Sequence, residues 1–167
     1  MTEPLARPTR RSLSTRLRKL AALSWADRWL LLQVFVLLGV ARLALRLIPF
    51  RRLARSLGPL QTETPPDAPT EHLAQARRIA LAVARVSPHT PWTSNCFPQA
   101  LVAKFWLRRR QISTTLYLGV ALNKSEASAQ TEMEAHAWLR CGPLPVTGGR
   151  GHECFTVVAC FGDDVSA

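Results

Sequence analysis

The sequence predicts an α+β fold, in which an N-terminal helical segment and further helices precede an antiparallel sheet. Apolar and helix-favouring runs dominate residues 24–110, whereas residues 112–161 alternate apolar with polar positions and contain turn signals. Hydrophobic residues make up 47% of the chain and charged residues 20%, which is typical of a folded protein and excludes a disordered one. We therefore expect the helices to lie to one side of the sheet.

The first predicted helix begins at Ser24 or Asp27, both suitable N-caps, and ends near Leu47 because Pro49 follows. It is apolar nearly all round, so the domain or another chain must cover it. Its uncharged run, WLLLQVFVLLGVA, has only thirteen residues between two arginines, whereas a membrane-spanning helix needs about twenty. We expect a core or partner-binding helix, with membrane association as the alternative.

Three regions follow from composition. Residues 1–58 form a basic and apolar helical N-terminal region, which ends with a short helix from Phe50 to Leu57. Residues 59–70 form a Pro-rich linker. Residues 71–167 form the remaining domain. Its first helix starts at Thr70, and the residues expected on one apolar face of that helix are Leu73, Ala76, Ala80 and Val83, with Ile79 close by.

Positive charge is concentrated at the N-terminus. Residues 1–60 hold twelve Lys and Arg against Glu3 and Asp27, a formal charge of +10 out of +11 for the chain. Residues 1–24 form a basic lead-in to the first helix. Aromatic residues suited to base stacking are few, so we expect no nucleic-acid partner. An acidic protein or an anionic membrane surface is the preferred partner, which makes peripheral membrane contact an open alternative.

The stretch TPWTSNCFPQALVAKFWLRRR places Cys96 at the start of a helix that runs to about Arg110. Pro98 is tolerated only in the first turn, so the helix starts at or just before it. Unpaired N–H groups in that turn favour a thiolate and provide an oxyanion hole. The alternative is a buried structural cysteine.

Period-two alternation predicts the strands that follow. One is ISTTLYLGVAL, another is AHAWLRC, and LPVT and CFTVVACF complete the sheet. The side chains expected to face inward from the first strand are Ile112, Thr114, Leu116, Leu118 and Val120, and from the last strand Phe155, Val157, Ala159 and Phe161.

His136 is the candidate partner of the thiol. The alternation of AHAWLRC puts it on the same strand face as Trp138 and Arg140. A strand histidine is usually a surface or satisfied core residue. A helix-start cysteine followed about forty residues later by a strand histidine is nevertheless the papain-like and transglutaminase-like order, which indicates thiol catalysis by Cys96 and His136.

The other cysteines are expected to pack as reduced thiols in a cytoplasmic protein, because no C-x-x-C pair occurs. Cys154 and Cys160 are predicted to share one strand face, and Cys141 to end a neighbouring strand. A zinc site of His152, Cys154 and another cysteine is the alternative to packing. The sequence shows no recognisable nucleotide site, because the GGRG segment lacks the Lys-Ser/Thr of a phosphate-binding loop. We also expect no metal cofactor.

Three segments carry a resemblance to a known family. They are LSWADRWLLLQVFVLLGVARLALRLIPF, RRIALAVARVSPHTPWTSNCFPQALVAKFWLRRRQISTTLYLGV and MEAHAWLRCGPLPVTGGRGHECFTVVACFG, which together cover most of residues 23–162. The chain resembles the transglutaminase-like leader peptidases of lasso peptide biosynthesis, within the papain-like cysteine protease clan. The order C…A…L…RR…LYLGV…AHAW carries the likeness.

The resemblance implies that residues 71–167 are a transglutaminase-like cysteine peptidase domain, with a transglutaminase/papain-like core in which the cysteine-bearing helix packs on an antiparallel sheet. It implies a cysteine protease that removes the leader from a ribosomally made precursor, with Cys96 as nucleophile and His136 as general base and acid. The implied partners are the precursor leader peptide, a small leader-recognition protein that the N-terminal region binds, and a lasso cyclase. The resemblance also implies dependence on ATP.

One departure from the family pattern concerns the third catalytic group. The pattern often places an Asp near the position of PVTGG, where this chain has no acid. Glu153 is the nearest downstream carboxylate and is a candidate, with a solvated loop acid as the alternative. The missing Asp also keeps open a catalytically silent peptide-binding or membrane-associated scaffold. An acyl transferase that uses the same thiol is a further alternative.

Overall fold

The computed structural model describes residues 23–124 and 131–163, so most of the basic lead-in lies outside the described residues. The chain is an α+β protein, as predicted. The described helices are α1 (Trp25–Leu47), α2 (Phe50–Ala54), α3 (Thr70–Val86) and α4 (Cys96–Arg108), with short 3₁₀ helices at Ser87–His89 and His152–Cys154. The strands are β1 (Thr115–Lys124), β2 (Thr131–Cys141), β3 (Leu144–Thr147) and β4 (Thr156–Gly162).

The four described strands form one antiparallel sheet in the order β3-β2-β1-β4. Gly119 of β1 lies opposite His136 of β2. The β1–β4 register shifts beyond Leu118, which pairs with Ala159, while Gly119 pairs with Val157. Val158 is therefore an extra residue in β4, and this bulge changes which side chains of the strand face the helices.

A single hydrophobic core lies between the helices and the inner face of the sheet. Helices α1, α3 and α4 all contribute buried side chains to it, and so do all four described strands. The most deeply buried members include Val34, Leu38, Ile79, Val83, Val102, Leu107, Leu116, Leu139 and Phe161. The N-terminal helix therefore shares its core with the elements that carry Cys96 and His136.

Helix α1 begins as predicted, because the Asp27 N–H donates to Ser24 Oγ at 3.1 Å and caps the first turn. Leu30, Val34 and Leu38 are buried beneath it, which confirms a core role for one face. In the described part of the chain, this 23-residue helix is also the one segment long and apolar enough to cross a membrane.

Helix α2 is shorter than the predicted span and ends at Ala54. The Ser56 hydroxyl donates to Leu53 O at 2.7 Å, and the chain then turns at Gly58, which has a φ of +105°. A Cβ at Gly58 would lie 2.0 Å from the Gly162 carbonyl oxygen, so only glycine fits here.

The Pro-rich segment is attached to the sheet. The Gln61 N–H donates to Cys160 O at 2.8 Å, and the Thr64 N–H donates to Thr115 Oγ1 at 2.9 Å. The Arg140 guanidinium donates to Thr64 O at 2.9 Å and pairs with Glu63 at 3.3 Å. These contacts fix the path of the segment between α2 and α3 along the sheet.

A buried ion pair joins α4 to the sheet. Lys104 Nζ lies 3.0 Å from Asp163 Oδ1 and donates to Thr114 O and Phe161 O at 3.0 and 3.2 Å. Asp163 Oδ2 accepts from the Thr114 N–H at 2.9 Å. Burial lowers the pKa of Lys104, and the Asp163 carboxylate opposes that shift. The pair anchors the second half of α4 where β1 begins and β4 ends.

Two predictions for β4 were wrong. Phe155 packs on the outer face of the sheet with Tyr117 and Trp138, and Val157 is exposed, because the bulge at Val158 shifts the alternation. Cys154 does not lie in a strand with Cys160, because it ends a 3₁₀ helix and is exposed. The Ala159 and Phe161 predictions hold, since both pack in the core.

Candidate active site

Cys96 is the first residue of α4, and its side chain is half-buried. The N-cap Asn95 has an extended backbone and makes no side-chain cap. The first N–H groups of a helix have no partner within it, and here no Asn95 cap occupies them. Pro98, buried in the first turn, has no N–H. Cys96 therefore lies beside amide donors that favour an anion.

The loop before Cys96 is held by side-chain hydrogen bonds. The Thr90 hydroxyl lies 2.9 Å from Trp92 O and 2.8 Å from Ser94 Oγ. Gln99 Nε2, from the first turns of α4, donates to Ser94 O at 2.7 Å. These contacts fix the approach of the chain to the helix, and with it the position of the thiol.

His136 lies in β2 and is half-buried. Its Nε2 is 2.8 Å from the carbonyl oxygen of Gly148. A carbonyl only accepts hydrogen bonds, so Nε2 carries the proton. In the neutral ring Nδ1 then holds a lone pair, and no hydrogen bond to it is found in the described part of the chain. The imidazole is thus held in the tautomer that accepts a proton at Nδ1.

Aromatic rings fix the plane of this imidazole. Phe155 stacks on one side with centroids 4.8 Å apart, and Trp138 lies at 5.9 Å. Trp138 in turn stacks on Tyr117 at 5.3 Å. Gly119 leaves room for these rings, because a Cβ there would lie 2.9 Å from both Trp138 and Phe155. The orientation of His136 is therefore set by both stacking and a hydrogen bond.

Gly148 adopts a conformation that other residues rarely adopt. Its φ is +65°, and a Cβ would lie only 2.3 Å from Ala137 O. Gly148 falls within PVTGG, the segment in which the resemblance expects an acid. A backbone carbonyl thus contacts the histidine there. Sequence reasoning missed it because a carbonyl has no residue-type signal, although the adjacent glycines were a visible hint.

Glu153 is exposed in the 3₁₀ helix that precedes β4. Its Oε1 lies 3.4 Å from Nδ1 of His152, and that nitrogen also lies 2.7 Å from Gly149 O. Within residues 23–124 and 131–163 no hydrogen bond joins Glu153 to His136. The proposed orienting role of Glu153 stays a prediction.

Helix α4 packs against β2 and β3. Ala137 and Leu139 of β2 are buried, and His136 alternates with them towards the outer face that holds Trp138. Among the described residues, no hydrogen bond joins Cys96 Sγ to the His136 ring. Catalytic hydrogen bonds are often long before substrate binds, so the lack of this hydrogen bond does not decide the pairing.

Residues 44–160 match the sequence profile of the transglutaminase-like superfamily. The chain belongs to the transglutaminase-like superfamily. This superfamily comprises papain-like cysteine proteases and acyltransferases. The matched span includes Cys96 and His136, so both candidate residues lie within the transglutaminase-like region. No curated protein and no solved structure matches the chain.

The transglutaminase-like region holds a thiol at a helix N-terminus and an imidazole whose Nδ1 carries no proton in the neutral ring, two groups that nucleophilic attack on an acyl carbon uses. In the glycine loop, the carbonyl oxygens of Gly148 and Gly149 contact His136 Nε2 and His152 Nδ1 at 2.8 and 2.7 Å. In the described residues no group of three or more His, Cys, Asp or Glu side chains is placed to hold a metal ion.

Proposed function

We propose that this chain is a cysteine peptidase that removes the leader from a ribosomally synthesised lasso precursor peptide. Cys96 is the nucleophile and His136 is the general base and acid. The observation that carries the proposal is the 2.8 Å contact of His136 Nε2 with Gly148 O, because it leaves Nδ1 as the basic nitrogen. The three resembling segments support the lasso substrate.

The reaction has two stages. His136 Nδ1 takes the thiol proton, and the Cys96 thiolate attacks the scissile carbonyl carbon. Amide donors in the first turn of α4 bind the oxyanion. His136 then gives its proton to the leaving amine of the core peptide, which leaves the leader as a thioester on Cys96. A water molecule, deprotonated by His136, hydrolyses that thioester and frees the leader and the thiol.

Oriented histidines of this kind do not require a carboxylate. The third group of a catalytic triad mainly fixes the tautomer and steadies the imidazolium. Gly148 O supplies the first effect through its hydrogen bond, and its partial negative charge contributes to the second. In this proposal the leader-recognition protein presents the precursor, and a lasso cyclase acts on the freed core in the cytoplasm.

The test is cleavage of a lasso precursor by the purified chain in the presence of its recognition protein, followed by mass spectrometry. We expect the wild-type chain to release leader and core, and Cys96→Ala to release neither. Cys154→Ala is the matched control, since that exposed thiol should be dispensable. Unchanged processing by Cys96→Ala would show that Cys96 is not the nucleophile.

Membership of a superfamily that includes acyltransferases favours one second candidate, transfer of the thioester acyl group to an amine. The same assay separates the two if primary amines of different size are added. A peptidase yields the free leader acid whatever the amine, whereas an acyltransferase yields leader amides. If neither product forms with the wild-type chain, a catalytically silent peptide-binding scaffold replaces both.

A further inference from the structure

Helix α1 has an apolar face that the rest of the domain does not cover. Leu30, Val34 and Leu38 are buried beneath the helix. The opposite side shows large apolar side chains at intervals of three and four residues, each more than half exposed. We name these the outer stripe: Trp25, Trp29, Leu32, Val36, Val40, Leu43 and Leu47.

The exposed apolar surface extends past the helix. Phe105 of α4 is 47% exposed, and it lines the same surface depression as Leu32 and Val36. Phe50, just beyond the end of α1, is 48% exposed. Monomeric soluble proteins rarely leave so large a continuous patch in water, which indicates that something covers it.

Positive charge lies at one end of this patch. Arg46, Arg51, Arg52 and Arg55 are exposed in or just after α1. Asp27 is the one acid between residues 23 and 62, and it is already paired with Arg78 at 2.8 Å. The preceding residues 1–22 add six Lys and Arg against Glu3. The surface that covers the outer stripe should therefore be both apolar and anionic.

We infer that the outer stripe docks α1 in the plane of an anionic lipid membrane. An amphipathic helix with aromatic and aliphatic residues on one face, flanked by basic residues, binds membranes in this way. Trp25 and Trp29 suit the headgroup region, where indoles concentrate. The stripe lies on a convex helix, which lipid covers without needing a matching groove.

The helix lies on the membrane and does not span it. Crossing would remove Leu30, Val34 and Leu38 from the protein core and would break the contact of Phe35 with Trp92, whose rings are 5.1 Å apart. A helix bound in the interface keeps that inner face on the domain. This inference concerns α1 and is independent of the reaction at Cys96.

The experiment is co-sedimentation of the full chain with vesicles of phosphatidylcholine alone, or of equal parts phosphatidylcholine and phosphatidylserine. We expect binding to the second kind and little to the first, with affinity falling as salt rises. Val36→Glu with Val40→Glu should abolish it. Leu81→Glu is the matched control, because Leu81 is also exposed, on α3, but lies off the stripe.

A second variant tests the contribution of the basic residues to vesicle binding. Each basic residue near an anionic surface contributes about fivefold to binding. Replacing Arg46, Arg51 and Arg52 together by Gln should therefore weaken vesicle binding at least about tenfold. Circular dichroism of each variant shows whether it is folded, so that loss of binding is interpretable.

The same experiments give different results if something other than an anionic membrane covers the outer stripe. If no vesicle binds the folded wild-type chain, or if both compositions bind equally, the inference is overturned. Light scattering that shows a dimer, dispersed by Val36→Glu with Val40→Glu and not by lipid, assigns the stripe to a second copy. Binding of the leader-recognition protein that the same variant abolishes, without vesicle binding, assigns it to a protein partner.

Discussion

Nε2 of His136 donates to the carbonyl oxygen of Gly148 at 2.8 Å. This hydrogen bond gives a strand imidazole a fixed tautomer in a chain whose sequence has no acid at that place. Stacking against Phe155 at 4.8 Å holds the same ring. A backbone carbonyl thus fixes the tautomer of this imidazole, and its position depends on the conformation of one glycine.

Gly148→Ala tests that dependence. A Cβ would lie 2.3 Å from Ala137 O at a φ of +65°, so the loop must move and carry its carbonyl away from His136. We expect kcat for precursor cleavage to fall at least about tenfold with little change in KM, and stability to fall by about 1–3 kcal/mol.

Gly151→Ala is the matched control for that substitution. Gly151 has a similar φ of +73°, but nothing lies within 4 Å of a Cβ there. Gly151→Ala should cost about 1 kcal/mol of stability and leave kcat within about twofold of wild type. Equal losses of kcat in both variants would mean that backbone strain, and not the His136 contact, explains the effect.

Glu153→Gln distinguishes the two candidates for the orienting group. The carboxylate is exposed and its recorded contact is with His152 at 3.4 Å. If Gly148 O orients His136, kcat/KM for precursor cleavage should stay within about twofold of wild type. A loss of a hundredfold or more, with unchanged stability, would instead assign the orienting role to Glu153.

Lys104→Met should destabilise the fold by about 3–5 kcal/mol, because it leaves the Asp163 carboxylate buried without its cation. Lys104→Met combined with Asp163→Asn should recover most of that loss, since the amide oxygen still accepts from Thr114. Urea denaturation measures both. If Lys104→Met alone is as stable as wild type, the Lys104–Asp163 pair does not anchor α4.

The Tyr117 phenol and the Cys141 and Cys160 thiols should each contribute less to stability in alkali. Burial raises the pKa of the Tyr117 phenol from 10.0, and of the Cys141 and Cys160 thiols from 9.0. Their contribution to the free energy of unfolding is complete below about pH 9 and is lost as pH rises through the raised values, because the unfolded chain ionises first. Urea denaturation between about pH 8 and about pH 10.5 measures the decline.

Tyr117→Phe isolates the phenol. Tyr117 OH donates to Glu63 at 2.8 Å and accepts from Arg140 Nε at 3.1 Å, so its loss should cost about 1 kcal/mol at neutral pH. Above about pH 10 the variant should decline less steeply than wild type. If the free energy of unfolding declines equally with pH in the two proteins, Tyr117 is not a source of the alkaline loss of stability.

Local signals in the sequence predicted much of this fold. The Ser24 cap, the helix start at Cys96 and the strand alternation around His136 all follow from short-range rules that the structure obeys. The bulge at Val158 did not follow, because it arises from pairing between β4 and β1. The buried partner of Lys104 was equally invisible, since Asp163 lies 59 residues away in sequence.

The candidate site likewise combines features that the sequence predicted with one that it did not. The catalytic roles of Cys96 and His136 stay a prediction, but their places at a helix start and in a strand were predicted from the sequence. Gly148 was not, because its contribution is a carbonyl oxygen whose direction depends on a φ of +65°. The exposure of the outer stripe could not be predicted either. An apolar helix predicts that something covers it, but only packing shows which face the domain leaves open.

Peptide mapping after acid quench tests the central claim most directly. The wild-type chain is mixed with lasso precursor and recognition protein, quenched within the first turnover, digested at low pH and analysed by mass spectrometry. We predict a leader acyl group bound as a thioester to Cys96, absent in His136→Gln. Leader release without an adduct on Cys96, or an adduct on Cys154 in its place, would contradict the assignment of the nucleophile.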